Sequence, residues 1–288
     1  MTTATSEPVS AEASPSHGGR TPWQEGKWAR PVQGTAVVAA LLGLWELLSR
    51  GGVLNPHFVP PPSEVIRTWY DWIFGGGEAA GHRFSGTWMT HVLSSGQRVL
   101  GGFLIAALLG VVLGVLIGWF RVVGALLDPI VQLLRPIPVT AWVPFAIVFF
   151  GLSAWGAIAL IALGAFFPIV VNSTAGAQRT PRMLVRAALM LGTPRRKLLW
   201  RVVLPSALPS IFTGLRLGMG VAWVLVIVAE MLAVRSGLGY VMWDAYQLIR
   251  MDLIVATMVS VGVLGFLFDV LLVGLRKWAL GWSEGMFE

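Results

Sequence analysis

The sequence predicts an all-α, polytopic helical membrane protein of about six transmembrane helices. Three observations carry that prediction. Of 288 residues, 56% are hydrophobic and only 12% charged, where a soluble domain carries about 25% charge. Mean hydropathy is +0.74. Apolar runs long enough to cross a ~30 Å hydrocarbon core recur along the chain, and none shows the short alternating segments of a membrane β-barrel. The absence of cysteine excludes disulfides, thiolate metal sites and a cysteine nucleophile. The net charge of +7 reads as the Lys and Arg excess of cytoplasmic loops rather than as a nucleic-acid surface.

The elements follow in order. Residues 1–33 are rich in Ser, Thr, Pro, Gly and Ala, which predicts a disordered cytoplasmic tail. No apolar core follows an early basic cluster, so the segment does not read as a cleaved signal peptide. Segment 34–54, apolar through 35–49, predicts the first transmembrane helix, with Glu46 near its end. Segment 55–98 reads as periplasmic and interfacial. Its prolines at 60–62 are extended, and Ser63 is expected to cap a helix. On that helix Val65, Ile66, Trp69, Trp72 and Ile73 form one stripe, which either lies on the membrane or packs on the protein body. The glycines at 75–77 end it. A helix from about Thr87 runs through Arg98 into a second span at 99–120. There Ala106, Gly110, Gly114 and Gly118 recur at every fourth position, which lets another helix approach closely, within or between subunits.

The third span, 126–150, holds Arg135, Pro136, Pro138 and Pro144. It predicts a broken helix, tolerated at membrane depth where protein or a water-filled cavity satisfies the freed carbonyls. A fourth span covers 155–175. A fifth covers 210–232, with Gly214 and Gly218 as a further close-packing pair. Residues 236–252 form an extramembrane or re-entrant segment. The sixth span is 253–275, followed by Arg276 and Lys277. The core thus occupies 99–280, and 281–288 form a C-terminal tail. Six spans put both termini on one side. That side carries thirteen Lys and Arg residues in its connections against six on the other, which places both termini in the cytoplasm.

Seven of the thirteen lie in one basic island, starting at Arg179 and ending at Arg201. Thr180-Pro181 and Thr193-Pro194 each predict a helix start capped by the Thr hydroxyl. Gly192 falls where the first helix must stop, a position that commonly needs positive φ. Leu184, Ala188 and Leu191 share one face of that helix, with Arg182 and Arg186 on another. The second helix pairs Leu198 with Val202 and Leu199 with Val203, although Arg195 intrudes on the apolar side. Pro205 and Pro209 are expected to break the chain before the fifth span. The island therefore predicts a rigid two-helix knob on the membrane surface.

The chain lacks the chemistry of an engine. It has no GxxxxGK[ST] and no HExxH, so neither a phosphate-binding loop nor a zinc protease site is expected. Nothing resembles a nucleophile elbow. The charges in or near the spans are Glu46, Arg135, Arg216, Glu230 and Asp269. Each is either functional or a snorkelling or paired structural residue. No internal repeat suggests a secondary transporter, and no polar cluster suggests a membrane enzyme. A shaped knob without an engine implies a partner that supplies the work.

The island resembles the cytoplasmic loop of ABC importer permeases. The pattern is Glu-Ala-Ala, three residues, Gly, about nine residues, then an aliphatic-x-Leu-Pro. Here it reads Arg186-Ala187-Ala188, Gly192 and Val202-Val203-Leu204-Pro205, with Arg in place of Glu. The stretches LRPIPVTAWVPFAIVFFG, VPPPSEVIRTW, THVLSSGQRVLGGF and SGLGY are similar to the nitrate, sulfonate, taurine and bicarbonate subfamily over residues 55–280. The resemblance implies a type I importer permease fold whose coupling loop, about 179–209, docks on a separate cytoplasmic ABC ATPase dimer. Coupling residues would be Arg182, Arg186, Ala187, Ala188, Leu191, Gly192, Thr193, Pro194 and Arg195. It also implies a periplasmic or lipid-anchored solute-binding protein, a second permease copy in a homodimer, and ATP and Mg bound only by the ATPase. The expected cargo is a small anion, with a thiamine precursor or vitamin-like solute as the alternative. A substrate path would involve Arg135, Pro138, Trp142, Arg216, Trp223 and Glu230.

Overall fold

The computed structural model describes residues 29–76 and 83–280, with the side chains of 29–35 and of Arg195 and Arg196 excluded. Most of the expected N-terminal tail and all of 281–288 lie outside the described residues. Eleven α-helices and no strand occur among those described. Helix α1 spans Ala29–Arg50, so it starts inside the segment expected to be tail. Its Val37, Val38, Leu41, Leu42, Leu44 and Leu47 are exposed.

Helix α2, Pro62–Phe74, starts with Pro61 as N-cap and Pro62 in the first turn, where proline's fixed φ suits the helix. Ser63 is therefore no cap. Its hydroxyl and its backbone N–H both donate to the Glu46 carboxylate, at 2.8 and 3.1 Å, and tie α2 to α1. The helix packs on the body: Trp72 is 1% exposed, the Trp69 indole N–H donates to Ser260 Oγ, and the Thr68 hydroxyl donates to Asp252.

The centre is a bundle of α3 (Trp88–Trp119), α6 (Ala154–Gln178) and α9 (Leu204–Ala233). The ladder on α3 faces α6 within the same chain. A methyl group at Gly114 would lie 2.6 Å from Ser173 Cβ and 2.6 Å from the Val170 carbonyl oxygen; at Gly118 it would lie 2.6 Å from the Thr174 carbonyl oxygen. Such separations leave room only for hydrogen, and the backbones meet as small-residue packing requires. Gly214 and Gly218 of α9 face α6 at Asn172 and Ile169 in the same way. Gly114→Leu is expected to destabilise the permease by about 3 kcal/mol, the upper range for overpacking. Thermal melting of the detergent-solubilised protein reads this out, and a wild-type midpoint would refute it.

Helix α4 (Arg121–Leu134) and the segment Val139–Phe150, a 3-10 turn followed by α5 (Val143–Phe150), meet at 91°. The expected break is thus a sharp corner at Arg135–Pro138. Among the described residues, four helices are long and apolar enough to cross a membrane, or five with this bent pair counted as one. They are Trp88–Trp119, Ala154–Gln178, Leu199–Ala233 and Met251–Ala279, the last being α11. Between α9 and α11 lies α10, Leu238–Gln247. It packs Leu238, Val241 and Ala245 into the core beside Leu253 and Ala256 of α11.

Candidate functional site

The basic island folds as a knob of α7 and a single-turn α8 that continues into α9. Helix α7, Arg182–Met190, has Pro181 at its N-cap without a side-chain cap bond. The Thr180 hydroxyl, expected as the cap, is buried without a partner among the described residues. Pro194, rather than Thr193, likewise precedes α8, Arg195–Leu198. In both cases proline occupies the capping position itself, which leaves the threonine one residue too early.

The end of α7 is a Schellman motif. The Thr193 N–H donates to the Ala188 carbonyl and the Gly192 N–H to the Leu189 carbonyl, both at 3.0 Å. Gly192 takes the left-handed conformation this needs, φ +78°. Beyond the Gly192-Thr193-Pro194 corner, α8 runs without interruption into α9 through a π turn at Leu199–Val203. The expected break at Pro205 and Pro209 does not occur. A proline at 205 has no N–H for the Arg201 carbonyl, and the π turn absorbs the mismatch: the Leu204 N–H reaches back to Leu199 instead. Pro209 lies inside α9. The knob is therefore α7 joined through the Gly192 corner to an extension of the core helix α9.

Val185 and Leu189 of α7, with Trp119, Phe120, Leu198, Leu199 and Trp200, line an apolar cleft of about 530 Å³. The outer face carries Met183, Met190 and Leu191, each more than 80% exposed, and Leu184 at 50%. Arg182, Arg186 and Ala187 are exposed too, while Ala188 and Thr193 are half-buried. Leu184 and Leu191 thus point outward, while Val185 and Ala188 are the half-buried residues of α7. An apolar, methionine-bearing patch rimmed by arginine is a surface built to be covered. For Arg195 the structure gives the backbone position only, at the start of α8.

The other expected site residues do not gather in one place. Arg135 is exposed at the α4 corner, Pro138 is exposed beside it, and Trp142 is half-buried against Phe145. Arg216 is exposed on α9 and forks onto Asp269 of α11, with its Nη2 2.6 Å from Oδ2. Trp223 is 5% exposed and stacks obliquely on Phe268. Glu230 is wholly buried.

Glu230 organises a polar cluster that sequence reasoning missed. Arg98 Nη1 donates to its Oε1 at 2.6 Å, the Ser95 hydroxyl to its Oε2 at 2.8 Å, and the Gly239 N–H to its Oε2 at 3.0 Å. Arg98 also holds the Ser236 carbonyl and hydroxyl. The Leu238 N–H donates to Ser95 Oγ, and the Gly237 N–H to His91 Nδ1. These N–H groups begin α10, whose first turn has no helical partner for them. One carboxylate and one face of α3 thus cap a whole helix. A Cβ on Gly237 would lie 2.3 Å from the Glu230 carboxyl carbon, which explains the glycines of SGLGY. The signal was present, since His91, Ser95 and Arg98 recur at i, i+4 and i+7.

The long apolar helices are those of a polytopic helical membrane protein. The family described as binding-protein-dependent transport system inner membrane component matches residues 98–279, and the chain belongs to it. It is 40% identical over 230 residues to a putative ABC transporter permease protein of Methanocaldococcus jannaschii, covering 78% of this chain and 82% of that protein. It is 32% identical to the taurine transport system permease protein of Escherichia coli, covering 89% and 93%. To a nitrate import permease protein of Synechocystis it is 34% identical, covering 83% and 85%.

Proposed function

We propose that this chain is the permease subunit of an ATP-driven importer of small anions in the sulfonate, taurine, nitrate or bicarbonate class. The observation that carries this reading is the knob: an exposed apolar and basic face on α7, fixed by the Gly192 corner to a helix that continues into the core. A separate ABC ATPase docks on that face and supplies the ATP and Mg chemistry; the chain itself is not an enzyme. A solute-binding protein delivers cargo to the opposite side, and two copies of the chain enclose the path. The basic island and both termini lie in the cytoplasm of an inner-membrane protein. The taurine, nitrate and bicarbonate permeases among the relatives favour anions over a vitamin-like cargo.

The test is co-expression with a cognate ATPase, followed by hydrolysis assays in nanodiscs with and without the solute-binding protein. A stable complex whose hydrolysis rises with liganded binding protein is expected. Absence of both a complex and ATP-dependent uptake would redirect the reading to a secondary transporter.

A further inference from the structure

The underside of the knob opens into a groove that descends along α3. Helix α7 carries two stripes. Met183, Met190 and Leu191 point away from the protein, whereas Arg182, Val185, Arg186 and Leu189, at i, i+3, i+4 and i+7, line hollows beneath it. Three hollows run together there. The deepest, about 160 Å³, lies between α3 and the π turn, with Val111, Val112 and Leu116 on its wall. It shares Leu199 and Trp200 with the cleft of about 530 Å³. That cleft shares Trp119 and Val185 with a third hollow of about 300 Å³, which Gln178, Thr180, Arg182 and Arg186 also line. Val112 stands two turns before Trp119, the last residue of α3, which is about 10 Å along the helix. The groove thus passes from wholly apolar walls within a spanning helix to a basic end at its surface.

Nothing in the chain neutralises the basic end. No Asp or Glu occurs between Asp128 and Glu230, and neither Arg182 nor Arg186 has a carboxylate partner among the described residues. Thr180 at the same end is 8% exposed, and its hydroxyl has no partner there either. The apolar end is open, since Val112 and Trp200 are exposed. An occupant that satisfies both ends is long, apolar along its length and anionic at its tip. We propose that this groove binds an anionic phospholipid of the leaflet on the knob side. The phosphate lies between Arg182 and Arg186, and an acyl chain runs past Trp200 along Val112 and Leu116. Basic pockets between spanning helices take such headgroups, and a guanidinium matches a phosphate in shape as well as charge. The lipid fills the space between α7 and α3 and leaves the outer stripe of α7 free. The site needs the knob at a membrane surface and nothing of the importer reading.

Native mass spectrometry of the full chain in detergent tests this, with palmitoyl-oleoyl phosphatidylglycerol titrated against the choline lipid of the same chains. The wild type is expected to bind phosphatidylglycerol at least about tenfold more tightly. Arg182→Gln with Arg186→Gln should lose that preference. Arg276→Gln with Lys277→Gln, the same charge change at the end of α11, should keep it. Val112→Phe fills the apolar end and should weaken both lipids about tenfold, the loss of roughly two buried methylenes. All five positions are exposed, so these variants should melt near the wild-type temperature. Glycerol 3-phosphate at equal concentration should not displace the lipid, because it lacks the acyl chain. The inference is overturned if the wild type shows no preference, or if the preference survives loss of both arginines. It is also overturned if Val112→Phe binds as the wild type does, or if glycerol 3-phosphate competes, which would make this a site for a free anion. Trp200→Cys, in a chain with no other cysteine, tests whether protein covers the groove instead. Oxidation in membranes should leave it monomeric, and a disulfide-linked dimer would make the groove an interface between copies and end the proposal.

Discussion

Glu230→Ala is expected to cost about 3–5 kcal/mol, the range for removing one partner of a buried ion pair, and to leave little folded permease. The loss does not lie in the pair's own attraction. Arg98 is 7% exposed, and with the carboxylate gone its charge would stay buried with only the Ser236 oxygens as partners. The Gly239 N–H and the Ser95 hydroxyl would lose their acceptor as well. The start of α10 would then be uncapped, and with it the contact of Leu238 and Val241 against Leu253. Replacing both partners by methionine should recover most of the loss, because a well-filled apolar site needs no compensation. Thermal and denaturant melting in detergent reads both variants. A single variant within about 1 kcal/mol of wild type, or a double variant no better than the single, would remove the cluster from its capping role.

The parts of this molecule that were legible in its sequence are those governed by local chemistry. The ladder of Ala106, Gly110, Gly114 and Gly118 shows a close approach because only small residues permit one, and the approach is found on α6. Three prolines within ten positions mark a corner, and the chain turns there by 91°. Gly192 marks a helix end because few other residues take positive φ cheaply, and its φ is +78°. Less legible were features that depend on a distant partner. Glu230 and Arg98 are 132 positions apart, and no local pattern in either helix names the other. The stripe on α2 was equally consistent with membrane or protein until Trp69 was found on Ser260. Pro205 looked like a break because proline removes a helical bond. That inference ignores the π turn, which removes the need for the bond. The threonines at 180 and 193 failed as caps because each helix starts one residue later than the Thr-Pro pair suggests, which puts the proline itself at the capping position.

Gly192→Pro should separate folding from coupling. No atom stands within 4 Å of a Cβ built at Gly192, so the demand there comes from backbone conformation alone. Proline fixes φ near −65°, whereas the corner holds +78°. It also deletes the N–H that donates to the Leu189 carbonyl, and it disfavours the φ −78°, ψ 9° backbone of Leu191 before it. The Schellman motif cannot form, so α7 loses its fixed angle to α8. The α3–α6–α9 packing is remote from this corner, and the variant should still insert and melt near the wild-type temperature. Stimulation of the ATPase by liganded binding protein, and uptake with it, should fall by at least about a hundredfold, since a lever without a fixed elbow transmits little displacement. Gly192→Asn is the matched control, because asparagine tolerates the left-handed region and should retain most of the coupling. An uncoupled asparagine variant would implicate the glycine surface rather than its backbone. A proline variant that docks the ATPase and transports at the wild-type rate would show that force passes elsewhere. Arg195–Val203, which continue directly into α9, would then be the segment that carries it.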